Sequence, residues 1–203
     1  MNQQTPEWFA ARLGKVTASR IADVMATIKS GEAAARTNYR AELVAERLSG
    51  KSDDGFTSAA MERGTELEPF ARAAYEAKRL VLVDQTGFVD HPSIPMAGAS
   101  PDGLVSDLGL VEIKCPNTST HIGYLTAGTA PAKYQPQMLW QMACTGAEWC
   151  DFVSYDPRLP GNLSLFVVKF ERDDERIAKM ETEVRRFLEE VEESVERLRK
   201  LAA

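Results

Sequence analysis

The chain is poor in the residues that make covalent or metal cross-links. Its 203 residues include three cysteines, Cys115, Cys144 and Cys150, and two histidines. An odd cysteine count without paired zinc spacing argues against a disulfide framework or a zinc knuckle, and assigns the thiols to packing in the reduced state. No run of about 18 uncharged apolar residues occurs, and MNQQTPEWFAARLGKV at the start has no apolar core of signal-peptide type. A membrane span is therefore not expected, and a cytoplasmic location is. Internal repeats and low-complexity linkers are also absent. So is a broadly basic surface: 24 Lys and Arg stand against 30 Asp and Glu, a formal charge of −6. That balance excludes a protein that coats polyanions through its whole surface. The cations are unevenly spread, with eight Lys or Arg against five acids in residues 1–51 and eight against fourteen in residues 52–170. An anion-binding surface is expected to draw on the N-terminal quarter.

What is present suits one folded α/β domain over residues 1–203: 44% hydrophobic residues, 27% charged, and a length sufficient for a substantial core. The pattern runs from a helix-rich front through a strand-rich middle to a helical tail. Thr5-Pro6 caps a short helix over Glu7 to Ala11, and Thr17 or Ser19 caps a second reaching about Ile28. SGEAAAR then reads as a mobile loop. Tyr39, Leu43, Val44 and Leu48 recur at helical spacing up to Gly50, GKSDDGF is a turn-rich connection, and a further helix covers Ser58 to Lys78. Two short strands joined through DHPSIP are expected between Val81 and Ala99. Pro131 to Cys144 is helix-compatible, and CDFVSYD and LSLFVVKF read as strands. After Asp173, the residues Ile177, Met180, Val184, Phe187, Val191, Val195 and Leu198 mark one long amphipathic helix that packs internally or between subunits.

The segment SPDGLVSDLGLVEIKCP, Ser100 to Pro116, carries the chemistry. A hairpin turning at Ser106 to Leu108, with paired residue numbers summing to about 214, sets Asp102 opposite Glu112 at a Cβ separation of about 4.5–5.5 Å. Carboxylates that close repel unless a proton or cation lies between them. Lys114 projects from the same face as Glu112, about 6.6–6.8 Å further along the strand. Oxygen donors of this kind favour a hard divalent cation, Mg²⁺ before zinc, because no His or Cys is suitably spaced. A cation beside an ammonium suits phosphodiester hydrolysis. Against this stands plain turn chemistry in SPDG and a solvated E-x-K sheet face.

SPDGLV followed by EIKCP resembles the signature of the lambda-exonuclease or YqaJ-type viral recombinase family, within the PD-(D/E)xK nuclease superfamily. ARLGKVTAS, RGTELEPFAR, and YQPQMLWQMACTG followed by WCDFVSYDPR extend the match from about Trp8 to Arg172. The resemblance implies a restriction-endonuclease-like core: a central mixed β-sheet flanked by helices, with a long C-terminal helix. It implies that Asp102, Glu112 and the carbonyl of Ile113 bind Mg²⁺, with Mn²⁺ as a substitute, that Lys114 is the catalytic lysine, and that Glu68 is the helix-borne carboxylate. Glu66 is assigned to an exposed first turn.

The same mapping places Arg12, Ser19 and Ser100 around a terminal 5′-phosphate, with Ser19 also a candidate helix cap. Of the glutamines, Gln135, Gln137 and Gln141 offer alternative pairings. Gln137 is taken as the active-site residue, which leaves Leu139 where a second polar residue is expected. Tyr134 and Trp140 are expected as core or wall aromatics. The implied activity is Mg²⁺-dependent 5′ to 3′ digestion of one strand of linear double-stranded DNA to mononucleotides. The implied partners are two further copies in a homotrimeric ring and a single-strand annealing protein acting on the exposed 3′ strand. A related restriction-like or structure-specific endonuclease, or a nonenzymatic DNA-binding or assembly module, are the alternative readings.

Overall fold

The computed structural model describes residues 3–52 and 58–202. Thr5 caps α1 (Pro6–Arg12) by accepting the Trp8 N–H. The chain then runs through β1 (Val16–Thr17), a 3₁₀ turn (Ala18–Arg20) and α2 (Ile21–Val24). The second helix is shorter than its expected reach to Ile28, and neither Thr17 nor Ser19 caps it. The position before the 3₁₀ turn makes no side-chain cap bond, and only Ile21 and Val24 give α2 an apolar side to bury. The loop expected over SGEAAAR is partly helical, because α3 (Ala34–Ser49) starts inside its alanine run. Glu32 is held there by Arg36, Thr37 and Arg40.

Gly50 ends α3 in the left-handed conformation, at φ 69°, as a C-terminal glycine does at low steric cost. The turn-rich connection expected over GKSDDGF falls mainly on residues 53–57, outside the described residues. Ser58 caps α4 (Ala59–Arg79), accepting the Met61 N–H. The Val81–Ala99 stretch contains three short strands where two were expected: β2 (Val83–Asp84), β3 (Val89–Asp90) and β4 (Ala97–Ala99). There follow β5 (Gly103–Val105), β6 (Gly109–Lys114), α5 (Thr118–Ala127), a 3₁₀ turn (Ala132–Tyr134), α6 (Gln135–Thr145), β7 (Trp149–Tyr155), β8 (Leu165–Glu171) and α7 (Asp174–Ala202).

The strands form two mixed sheets: the five-stranded β2-β5-β6-β7-β8, which is the expected central mixed sheet flanked by helices, and a smaller β1-β4-β3 beside it. In the larger sheet only the β6–β7 pair is parallel. Leu110, Cys150 and Phe152 face a core shared with α6 and α7. Val111, Ile113 and Val153 face a second core against Ala71 and Tyr75 of α4. Burial on both sides explains why Leu110, Val111 and Ile113 of β6 are apolar, with Glu112 and the half-buried Lys114 the exceptions. Gly109 is required by close approach: a Cβ there would lie 2.2 Å from the Trp149 ring.

The apolar stripe of α7 packs inside the chain. Ile177, Met180, Val184, Phe187, Val191 and Val195 are buried, and Phe187 stacks on Tyr39 of α3 with centroids 5.6 Å apart. Only its end, Leu198 and Leu201, is exposed.

Candidate active site

The β5–β6 hairpin has the register that sets Asp102 opposite Glu112: Gly103 pairs with Val111, Leu104 with Leu110 and Val105 with Gly109. Ser106 makes the turn at φ 56°. Just beyond the last paired residues, Asp102 Oδ2 accepts the Ile113 N–H at 2.6 Å. In an extended strand the N–H and C=O of one residue leave on the same side, so the Ile113 carbonyl is directed toward the Asp102 edge as well.

Alternation along β6 turns Glu112 to the α6 side, where it is wholly buried. Its two oxygens are separately held: Gln137 Nε2 donates to Oε1 at 2.6 Å and Gln141 Nε2 to Oε2 at 2.7 Å. Lys114 Nζ also contacts Oε1. Residues 137 and 141 are one helical turn apart, so α6 presents both amides to one carboxylate. Gln137, the glutamine taken from the sequence, thus meets Glu112, and so does Gln141, which the sequence offers as its pairing partner at i, i+4 without marking it as a site residue. Leu139 lies in the core. Gln135 is turned elsewhere, donating to the Ala130 carbonyl and accepting from Arg176. Trp140 is buried and stacks on His91, while Tyr134 stacks on Phe152 and lies beneath Lys114 at 5.3 Å.

The electrostatics follow from crowding. Burial, reinforced by Glu112 and Glu68 against the opposing charge of Lys114, holds the Asp102 carboxyl well above the usual range. Burial alone would lower Lys114, but Glu112 and Asp102 outweigh it and raise its pKa, keeping the ammonium charged. Glu68 on α4 belongs to the same electrostatic group. Burial raises it, Arg72 and Lys114 oppose the rise, and Glu112 adds to it. Glu66 is exposed, as expected, but lies beyond the first turn of α4, whose acidic residue is Glu62. Burial pushes the Cys115 thiol up to about 11, and Cys144 and Cys150 are buried, so all three thiols are protonated packing groups.

The donor chemistry fits a hard cation. Among the described residues no three Asp, Glu, His or Cys side chains gather tightly enough to form a complete metal cage. Two carboxylates and a backbone carbonyl are an incomplete oxygen set, of the kind Mg²⁺ accepts when water and phosphate complete its shell. Each carboxylate oxygen has lone pairs beyond those its present donors use.

Arg12 and Ser100 come together beside this pair. Arg12 Nη1 donates to Ser100 Oγ at 3.3 Å, and Trp8 Nε1 donates to the same oxygen at 2.9 Å. The guanidinium lies 4.2 Å over the Trp8 ring, and burial lowers its pKa. Trp8 is thus a further residue of this corner. Ser19 is exposed, and its hydroxyl meets Thr17 Oγ1 at 3.3 Å. Among the described residues no hydrogen bond joins Ser19 to Arg12 or Ser100.

Comparison with known proteins gives a consistent set of likenesses. The YqaJ-like viral recombinase domain matches residues 7–148. The crystal structure of LHK-Exo in complex with dAMP is 56% identical over 98% of each chain, with a TM-score of 0.92. That of the alkaline exonuclease LHK-Exo from Laribacter hongkongensis is 55% identical over 98% of each chain, with a TM-score of 0.90. A phage related exonuclease from Haemophilus somnus 129PT shares the fold at 17% identity, covering 91% of this chain and 96% of that one, with a TM-score of 0.73. No curated protein matches.

Proposed function

Because the chain belongs to the YqaJ-like viral recombinase domain family, we propose that it is a nuclease that hydrolyses DNA, a metal-dependent exonuclease acting 5′ to 3′ on one strand of a linear duplex. The observation that carries this reading is Glu112, a buried carboxylate opposite Asp102, gripped by Gln137 and Gln141 and contacted by Lys114. A carboxylate so fixed cannot swing away from a partner placed between it and Asp102.

Asp102, Glu112 and the Ile113 carbonyl are the residues that would hold Mg²⁺, or Mn²⁺ in its place. When bound, such a cation neutralises phosphate charge and lowers the pKa of a water molecule. Lys114 stays charged against its carboxylates and is suited to orient the attacking water and stabilise charge that develops on the phosphate. Gln137 and Gln141 keep both oxygens of Glu112 aimed. Glu68, with its raised pKa, stands at the edge of the group, able to hold a water or accept a proton. Arg12 and Ser100 supply a guanidinium and a hydroxyl for a terminal 5′-phosphate, with Ser19 on the nearby turn as a third contact. A relative crystallised with dAMP supports mononucleotides as products.

Polarity, the homotrimeric ring and delivery of the 3′ strand to a single-strand annealing protein are carried over from the family resemblance. A ring reconciles sustained digestion with a chain of net charge −6, since enclosure retains DNA without a basic surface. Light scattering is expected to give about three times the 22.4 kDa chain mass. The function is tested by offering linear and covalently closed circular forms of one duplex with Mg²⁺. Digestion of the linear form alone is the expected result, and nicking or cutting of the circle would replace the exonuclease reading with an endonuclease.

A further inference from the structure

A second basic group borders the site and has no part in the chemistry above. A cleft of about 250 Å³ is lined by Gln85, Thr86, Glu68, Arg72 and Asp102 among others, and Pro69 is its only apolar lining residue among those described. Arg72 follows Glu68 by four residues, so both project from one face of α4. Arg72 Nη1 is enclosed and, among the described residues, has no hydrogen-bond partner. Arg47 Nη2 and Arg63 Nη2 are likewise enclosed without a hydrogen-bond partner, but those guanidiniums donate through other nitrogens, to the Gly14 and Pro116 carbonyls, as Arg12 and Arg20 donate to Ser100 and Asp23. The wall facing Arg72 is tied in place: Gln3 Nε2 donates to the Pro101 carbonyl at 2.7 Å and the Thr86 carbonyl at 3.2 Å.

A polar cleft with a guanidinium that faces Glu68 electrostatically but has an enclosed nitrogen without a hydrogen-bond partner favours an anion rich in oxygen acceptors over an apolar ligand, and the planar fork of Arg matches phosphate. The order of groups along the surface says which phosphate. Arg12 binds Ser100, Asp102 lies two residues beyond Ser100, and Asp102 shares its cleft with Arg72. A strand whose first phosphate sits at Arg12 passes Asp102 before it reaches Arg72.

We propose that Arg72 is a second phosphate-holding residue, which grips an internal backbone phosphate of the strand being cleaved, past the Asp102–Glu112 pair and apart from the terminal phosphate at Arg12. This rests on the nuclease reading and adds a register contact to it. A terminal contact alone lets the strand pivot about its end, whereas a second contact beyond the reacting bond holds that bond in line with the carboxylates.

The test is metal-free binding, in chelator, of a short linear duplex carrying either a 5′-phosphate or a 5′-hydroxyl, followed by fluorescence anisotropy over a salt series. Arg72→Gln is expected to weaken binding of both duplexes equally, by about tenfold. It should also reduce the slope of log affinity against log salt by about 0.7–0.9. Arg12→Ala should weaken only the phosphorylated duplex. Arg72→Lys keeps the charge without the fork, and is expected to retain the slope while binding several-fold more weakly. If Arg72→Gln does not fold by circular dichroism, the Lys variant decides, and affinity equal to wild type overturns the proposal. Wild-type affinity and slope in a folded Arg72→Gln overturn it too, with Arg72 then serving only to balance Glu68. Wild type that neither binds nor digests linear duplex would instead overturn the nuclease reading itself.

Discussion

Asp102 accepts the Ile113 N–H at 2.6 Å, so the carboxylate proposed to face the cation also clips the start of β5 to the far half of β6. Substitution separates these two jobs. Asp102→Asn keeps an oxygen for Ile113 and removes the charge. Cleavage should fall by more than about 100-fold, beyond what is typical of a residue that only supports a metal ligand. Melting temperature should stay at or above that of wild type, because a carboxylate disfavoured by burial and by Glu112 is gone. Turnover near wild type would remove Asp102 from the site.

The same crowding gives a pH dependence. A carboxyl whose folded pKa lies above its unfolded value of about 3.9 binds its proton more tightly when folded, so stability falls as pH rises from the unfolded value to the folded one. Metal-free wild type should lose melting temperature across that window, and Asp102→Asn should lose less. Adding Mg²⁺ at neutral pH should raise the melting temperature of wild type and leave the variant nearly unchanged. Equal pH slopes and equal Mg²⁺ responses in the two proteins would contradict the assignment.

Gln141→Leu removes one donor from a wholly buried carboxylate. Leaving a buried acceptor without its partner costs about 1–3 kcal/mol, measurable by urea unfolding. Turnover should also drop by about 10–100-fold, as for other residues that orient a metal ligand. Gln137 is only partly buried, so Gln137→Leu should cost less stability while affecting turnover similarly. A Gln141→Leu protein with wild-type stability and turnover would show that Glu112 needs no such grip.

Arg12 connects geometry to substrate choice. A terminal phosphate carries more negative charge than an internal diester, and Arg12 with Ser100 forms the corner proposed to receive it. Duplexes with a 5′-phosphate should be digested faster than matched 5′-hydroxyl duplexes, and Arg12→Ala should erase most of that difference at fixed salt. An unchanged preference in the variant would place the phosphate elsewhere.

Much of the site was legible because turn chemistry and strand alternation together fix register. Once the turn lies at Ser106 to Leu108, the pairing of Asp102 with Glu112 and the shared face of Lys114 follow. The glutamine pair was half legible: helical spacing links 137 to 141, but only the packing of α6 on β6 shows that both amides meet Glu112. Trp8 was hidden because its role depends on a contact with Ser100, 92 positions away. The helix α5 was missed because its sequence, TSTHIGYLTA, has no apolar stripe and is rich in β-branched residues; Asn117 capping and a left-handed Gly128 define it. The strand β2 spans two residues, too few to alternate. The long α7 was plain from its stripe, and tertiary packing decided that most of the stripe is spent inside the chain.

The central claim, exonucleolytic hydrolysis from the 5′ end at Asp102, Glu112 and Lys114, is tested most directly by one time course with Mg²⁺ on linear duplex labelled at either the 5′ or the 3′ end. The account predicts that 5′ label appears at once as mononucleotide while 3′ label stays in long strands, and that Lys114→Ala abolishes the release. Early release of 3′ label, or internal fragments that carry 5′ label, would contradict it.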